Sequence, residues 1–377
     1  MIVFLLLESV LSVIAAPVGV DLWKAYSGRE GFPTCYRQPV LTVLNSSHLI
    51  AFAEGRVNGY CSGGADGSNS SIWTRNSNDG GKTWSEAQML YDSPPQPDYL
   101  SALYDSSTGR TSLFIMTSPN LVTFSDNAGS TWSKPSPIVI NLPSGYTATP
   151  GVAHGLRVEG GLCPEPTCNG TAGRLIVAWV CHSKKPTLSG NMLDTSCPGC
   201  YSCLAVSDDA GATWSVSLAA VATPQEGSRE ASLVQLRSSA YGAKGAVIYA
   251  TERNMGASPG HRWHAISMDG GSSLSNFGVD PSIPDGVTKN WTGIVAGAAR
   301  VGAGIYISTP QAIGERADLA LFRSVDEAKT WGDGMLFLSG PAGYSDMGAL
   351  NETHGAILCE NGEAEFAEKI SFFTFSG

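Results

Sequence analysis

One eight-residue pattern returns five times along the chain and governs what the rest can become. Ser77 to Trp84 reads SNDGGKTW, and Ser207 to Trp214 reads SDDAGATW; both fit Ser-x-Asp-x-Gly-x-Thr-Trp at every position. Ser125 to Trp132 (SDNAGSTW) carries Asn127 for Asp, Ser324 to Trp331 (SVDEAKTW) carries Ala328 for Gly, and Ser267 to Leu274 (SMDGGSSL) loses the Thr-Trp end. Asp hydrogen-bonds backbone amides shortly downstream, and Gly adopts positive φ without steric cost, so each box predicts a tight hairpin turn. The Trp offers a large apolar face to a neighbouring sheet.

One such hairpin cannot bury its own apolar face, so repeats at starts 48, 82, 60 and 57 residues apart predict stacked sheets. Four-stranded blades around a central channel meet that need without long exposed edges. The expected fold is therefore all-β, a six-bladed β-propeller, with five blades marked by boxes and a sixth built from both chain ends. Composition agrees: 44 Gly, 21 Pro, 9 Trp and 12 Tyr in 377 residues favour short strands and tight turns. The boxes argue for fold and leave chemistry open.

Residues 1–16 (MIVFLLLESVLSVIAA) form an apolar stretch ending in small residues, read as a signal peptide although Glu8 interrupts it and no Lys or Arg precedes it. Residues 17–377 are then a single propeller domain. Five N-x-S/T sequons, at Asn45, Asn69, Asn169, Asn290 and Asn351, fit the secretory route. Six of the nine cysteines crowd between Cys163 and Cys203, which predicts a disulfide-stapled, Cys-rich insertion around 157–203 and one thiol left over. Cys197, Cys200 and Cys203, with Cys181 and His182 nearby, are also zinc-ligand types, but an oxidising compartment favours disulfides.

The formal net charge of −10 argues against nucleic-acid binding. An anionic ligand would need a local Arg cluster to overcome that field. None of the six His falls at a metal-ligand spacing such as H-E-x-x-H, and no phosphate loop or G-x-S-x-G elbow is present, so neither a metal nor a cofactor is expected.

A set of short motifs, in order from about Tyr36 to Phe375, resembles the sialidases. CYRQPV holds Arg37, where the family's following Ile is Gln38; FAEGR holds Arg56, with Glu54 beside it; GGADGSNSS holds Asp66; GSREASLVQL holds Glu230; IYATERNMG holds Arg253; GERADLALFRS holds Arg316; GPAGYSDMGAL holds Tyr344; AILCENGEAEF holds Glu360. The resemblance implies that Arg37, Arg253 and Arg316 grip the carboxylate of sialic acid, with Arg56 lining the pocket and Glu360 bracing Arg37. It implies that Asp66, on a loop with Gly63, Gly64 and Gly67, is acid/base, and that Tyr344 is a nucleophile activated by Glu230. Chemistry supports such a set independently: Arg pairs with carboxylates through a planar fork, and a phenol avoids the repulsion a carboxylate nucleophile would meet at a carbon already bearing one.

The implied substrates are sialylated glycans, on glycoprotein, glycolipid or oligosaccharide. GPAGYSDM and the cysteine cluster lean toward the animal lysosomal kind, with a lysosomal or extracellular location and, for the former, a protein partner. The same residues would serve a trans-sialidase, and a carbohydrate-binding propeller without catalysis is the reading from another class. Arg262, in GHRWHAIS, is read as near a distal sugar, and His154, in TPGVAHGL, as a loop residue.

Overall fold

The boxes fold as their chemistry requires. In the first, the Gly81 N–H donates to Ser77 Oγ at 2.9 Å, and the Thr83 N–H and hydroxyl donate to the two oxygens of Asp79 at 2.9 and 2.6 Å. Asp209 and Asp326 repeat these bonds. The degraded boxes close the same way. Asn127 accepts the Thr131 N–H at 2.9 Å and donates to its hydroxyl at 2.8 Å, while Ser273 makes both bonds of the missing Thr to Asp269. The fifth box position is left-handed throughout: φ is 88° at Gly81, 84° at Gly211 and 61° at Ala328. Ala328 bears the strain that Gly avoids elsewhere.

A computed structural model describes residues 17–25, 33–57, 61, 69–184, 199–222, 228–255, 260–285 and 293–377. The expected leader at 1–16 lies outside them. Among the described residues the chain has 26 strands and three short 3-10 helices. The strands form sheets of seven, six, five, four and four strands in a propeller-like arrangement. The strands Cys35–Val43, Ser228–Leu236, Gly297–Val301 and Met335–Asn351 come together at the centre. Val20–Lys24, near the start, pairs antiparallel with Lys369–Ser376 at the end, so the two ends of the described chain share one sheet.

Six separate four-stranded sheets were expected; hydrogen bonding gives five, only two of them four-stranded. The difference arises at Met335–Asn351. This long strand pairs with Ala317–Ser324 through its first half and with His354–Asn361 through its second, joining both sets into the seven-stranded sheet.

Apolar layers fill the spaces between sheets. Phe52 and Ile72 meet Leu100 and Leu113; Phe114 meets Trp179 and Trp214; Ile176 meets Leu233 and Ile248; Tyr249 meets Ile305 and Phe322. Trp23, Leu358 and Phe372 pack on Tyr36, Leu41 and Trp73, bringing the last sheet against the first.

The stretch 157–203 is an insertion only in part. Leu175–Ser183 lies within it and Cys200–Ser207 begins within it, and the two are adjacent strands of the six-stranded sheet. The run LIVAWV is buried on both faces, as a central strand must be. Cys181–Cys203 joins these two strands, Cys163–Cys168 closes a tight loop, and Cys35–Cys61 links a distant part of the chain. Cys200 is disulfide-bonded as well, and the thiol left over is Cys359, which is buried. With Cys181 and Cys203 bonded to each other, the zinc reading fails.

Candidate active site

Two β-bulges shape the site. The strand Cys35–Val43 shifts register between Arg37 and Val40, with Gln38 at φ 56°; Ser228–Leu236 shifts between Arg229 and Ser232, with Glu230 also at φ 56°. A bulge adds one residue and re-aims the side chains around it, so simple in–out alternation fails at both places. Gln38 is the departure from the family's pattern at this strand. Its backbone N–H donates to Glu360 at 2.9 Å.

Glu360 is an anchor for several elements. Its oxygens accept from Arg37 Nε at 2.7 Å and Arg37 Nη2 at 3.2 Å, and from the Gln38 and Tyr344 N–H groups at 2.9 and 3.0 Å. Arg37 Nη1 donates to the Cys61 carbonyl at 2.7 Å, beside the Cys35–Cys61 disulfide. With every nitrogen engaged and a paired, planar geometry, this guanidinium is held in one orientation.

Three guanidiniums surround one phenol. Arg37, Arg253 and Arg316 lie 5.5, 5.7 and 5.0 Å from the centre of the Tyr344 ring, and Arg253 Nη1 donates to Tyr344 Oη at 2.8 Å. The same nitrogen donates to Glu230 Oε2. All five side chains are buried.

Their electrostatics are strongly coupled. Burial acts to raise the Glu230 pKa, but the charges of Arg253 and Arg229 prevail and pull it down to about 2. Burial raises the Tyr344 phenol above its ordinary value despite the cation at Arg253. Burial also lowers Arg316, helped by repulsion from Arg37 and Arg253. Tyr99, absent from the expected set, is close enough that it and Glu230 alter each other's proton affinity.

Six of the expected residues thus meet: Arg37, Arg253, Arg316, Tyr344, Glu230 and Glu360. Arg56 sits opposite Cys35 in the sheet, buried, with Nε donating to Glu54 Oε2 at 2.9 Å. Asp66 lies outside the described residues. Arg262 is no sugar contact: it is fully buried, with Nη1 donating to Asp285 Oδ1 at 2.9 Å and Nε to Thr251 at 2.8 Å. His154 belongs to a short strand, Ala153–His154, and its Nδ1 lies 2.7 Å from Asp346 Oδ1. Asp346 also accepts the N–H groups of Leu41, His154 and Met347. It lies two residues after Tyr344 in the strand Met335–Asn351, just past the register shift between Ala342 and Ser345. Among the described residues no cluster of three or more His, Cys, Asp or Glu could hold a metal.

The arrangement can bind a carboxylate on paired guanidiniums and present a phenol beside it. Residues 39–357 match the family described as BNR repeat-like domain. A sialidase of Micromonospora viridifaciens is 28% identical over an alignment of 367 residues that covers 92% of this chain and 53% of that protein; the chain spans about half the length of this curated relative. Among solved structures, the Hadza microbial sialidase Hz136 superposes with a TM-score of 0.72 at 18% identity, covering 95% of this chain and 68% of that one. The intramolecular trans-sialidase from Ruminococcus gnavus gives 0.69 at 16%, covering 96% and 98%. At these identities the structural likeness speaks for the fold. None of these relatives supports the lean toward an animal lysosomal type.

Proposed function

The chain belongs to the BNR repeat-like domain family, and on that premise we propose that it is an exo-α-sialidase, a glycoside hydrolase that removes terminal sialic acid from glycans. The observation that carries this reading is the ring of Arg37, Arg253 and Arg316 around Tyr344. A sugar whose anomeric carbon bears a carboxylate fits such a pocket, since the guanidiniums hold the acid and the phenol lies beside it. The sialidase relative from M. viridifaciens, alike over 92% of this chain, supports the substrate class.

In this reading Tyr344 attacks the anomeric carbon and Glu230 takes its proton. A carboxylate with a pKa of about 2 is a weak base, and Arg253 is the reason. A substrate carboxylate would share the Arg253 cation, loosen its hold on Glu230 and raise the basicity of Glu230 as the sugar arrives. Asp66 would protonate the leaving oxygen and then activate water, and two displacements would retain the anomeric configuration. Arg56 would line the pocket, and Glu360 would fix Arg37.

For the scaffold, we read the seven-stranded sheet as two blades sharing the strand Met335–Asn351, which makes six; an apolar layer with Leu319, Leu321, Met347 and Ile357 fits between its halves. The disulfides support a secretory destination, lysosomal or extracellular.

A fluorinated sialoside that slows the second step tests the mechanism. The sugar should be trapped on the peptide containing Tyr344, and the first-formed product, followed by NMR, should retain its configuration. Label on another residue, or an inverted product, would overturn it. Transfer of the sugar to an internal or external acceptor uses the same first step, and the product NMR separates it from hydrolysis.

A further inference from the structure

Arg37 and Arg316 each contact two aromatic rings. Arg37 lies 5.0 Å from the centre of Phe366 and 5.5 Å from that of Tyr344. Arg316 lies 4.9 Å and 5.0 Å from the same two centres. The four groups alternate: cation, ring, cation, ring. One ring belongs to the phenol already discussed. The other, Phe366, ends the AILCENGEAEF motif six residues after Glu360, and the resemblance gives it no role.

Two guanidiniums gathered around one pocket repel each other, and burial removes the water that would screen them. A ring face carries negative potential and attracts a cation above it, more strongly where water is excluded. Phe366 supplies such attraction to both guanidiniums at once. Tyr344 does the same, but its phenol would be engaged in bond making, whereas Phe366 is inert throughout.

The structure holds Phe366 in place from several sides. The Glu368 carboxylate accepts the N–H groups of Glu363, Ala364 and Glu365 at 2.8, 3.0 and 3.0 Å, which folds the segment carrying Phe366 into a fixed turn. The Glu368 carbonyl is tied to the Ala25 N–H at 2.6 Å. The ring is half-buried and packs on the small cluster of Cys35, Cys61 and Ala367. At position 343 a Cβ would stand 2.8 Å from Phe366 Cδ2 and 2.3 Å from Glu360 Oε2, so the residue before Tyr344 must be glycine for ring and carboxylate both to reach the site.

We propose that Phe366 is a positioning residue for the substrate carboxylate: its ring holds Arg37 and Arg316 at the separation that one carboxylate can bridge. This inference rests on the sialidase reading. It makes binding of the acidic sugar depend on the electron density of a ring that takes no part in bond making.

The test is a series at position 366, read with a fluorogenic sialoside and with calorimetric binding of free sialic acid. Phe366→Leu keeps apolar volume and removes the ring. Its KM should rise roughly tenfold or more, the scale expected when the cation–ring contacts to both guanidiniums are lost, with kcat changed much less. Phe366→Tyr and Phe366→Trp should stay close to wild type. If Phe366→Leu does not fold, mono-, di- and trifluorinated phenylalanine introduced at 366 preserve shape while draining the ring face. KM and Kd should then climb stepwise with fluorine count. A flat fluorination series, or a Phe366→Trp protein as impaired as Phe366→Leu, would overturn the inference while leaving the sialidase reading intact. A wild-type protein that neither cleaves nor binds any sialoside would overturn both.

Discussion

Arg253 Nη1 donates to Tyr344 Oη at 2.8 Å, and the same nitrogen donates to Glu230, so one guanidinium stands between the expected nucleophile and its expected base. The three side chains come from three separate strands that meet at the site. Their coupling makes the site sensitive to the loss of any one charge.

Glu230 should report that coupling through stability. Its folded pKa of about 2 lies below the ordinary 4.5. The carboxylate therefore contributes stability above pH 4.5, on the order of a few kcal/mol, and that contribution is lost as pH falls from 4.5 through about 2. Glu230→Gln should lower the melting temperature at pH 6 to 7, and the gap to wild type should close as pH falls below 4.5. A gap that does not change with pH would show that the charge of Glu230 is immaterial to folding.

His154 should show the opposite sign. Burial acts to lower its pKa, but Asp346 prevails and raises it above 6.5. The charged pair then stabilises fully below pH 6.5, and the contribution is lost as pH rises through the folded pKa. NMR titration should find the His154 ring titrating above 6.5, and Asp346→Asn should bring it down. Wild type should lose more thermal stability than His154→Gln between pH 6 and 8; equal losses would contradict the pairing.

The Cys35–Cys61 disulfide should matter for binding. Cys61 presents its carbonyl to Arg37 Nη1 at 2.7 Å, so releasing Cys61 frees one corner of that guanidinium. A Cys35→Ser, Cys61→Ser double variant should show a KM for sialosides several-fold higher, with a smaller change in kcat. An unchanged KM in a folded double variant would mean that Glu360 alone suffices to hold Arg37.

Trp214 should matter for folding. It is buried, packs edge-on against Phe114 of the neighbouring sheet with ring centres 5.2 Å apart, and donates Nε1 to Gly211 at 3.2 Å. Trp214→Ala should cost about 3–5 kcal/mol. Trp84, only half-buried against Phe372, should cost less when truncated. Urea melts of both variants check the ranking, and an unchanged melting curve for Trp214→Ala would contradict the sheet packing.

The sequence by itself determined the turns and most of the site's membership. A box is legible because all its bonds fall within eight residues: Ser77, Asp79, Gly81 and Thr83 need only one another, Ser273 replaces Thr with the same bonds, and Asn127 replaces Asp with only the hydroxyl bond reversed. The motif residues Arg37, Arg253, Arg316, Tyr344, Glu230 and Glu360 were also readable, each from its own short context. Tertiary structure decided the wiring that no motif implied. His154 meets Asp346 across 192 positions, whereas the Arg37–Glu360 brace, across 323, was implied by the family resemblance. Phe366 reaches both Arg37 and Arg316 only once the sheets have packed around the centre. The bulges at Gln38 and Glu230 break the alternation that a strand pattern assumes, and Met335–Asn351 runs on to join two sets of strands that turn chemistry would have kept apart. The physical reason is range: hydrogen bonds within a turn depend on adjacent residues, whereas the sharing of one cation among several partners depends on where distant strands come to rest.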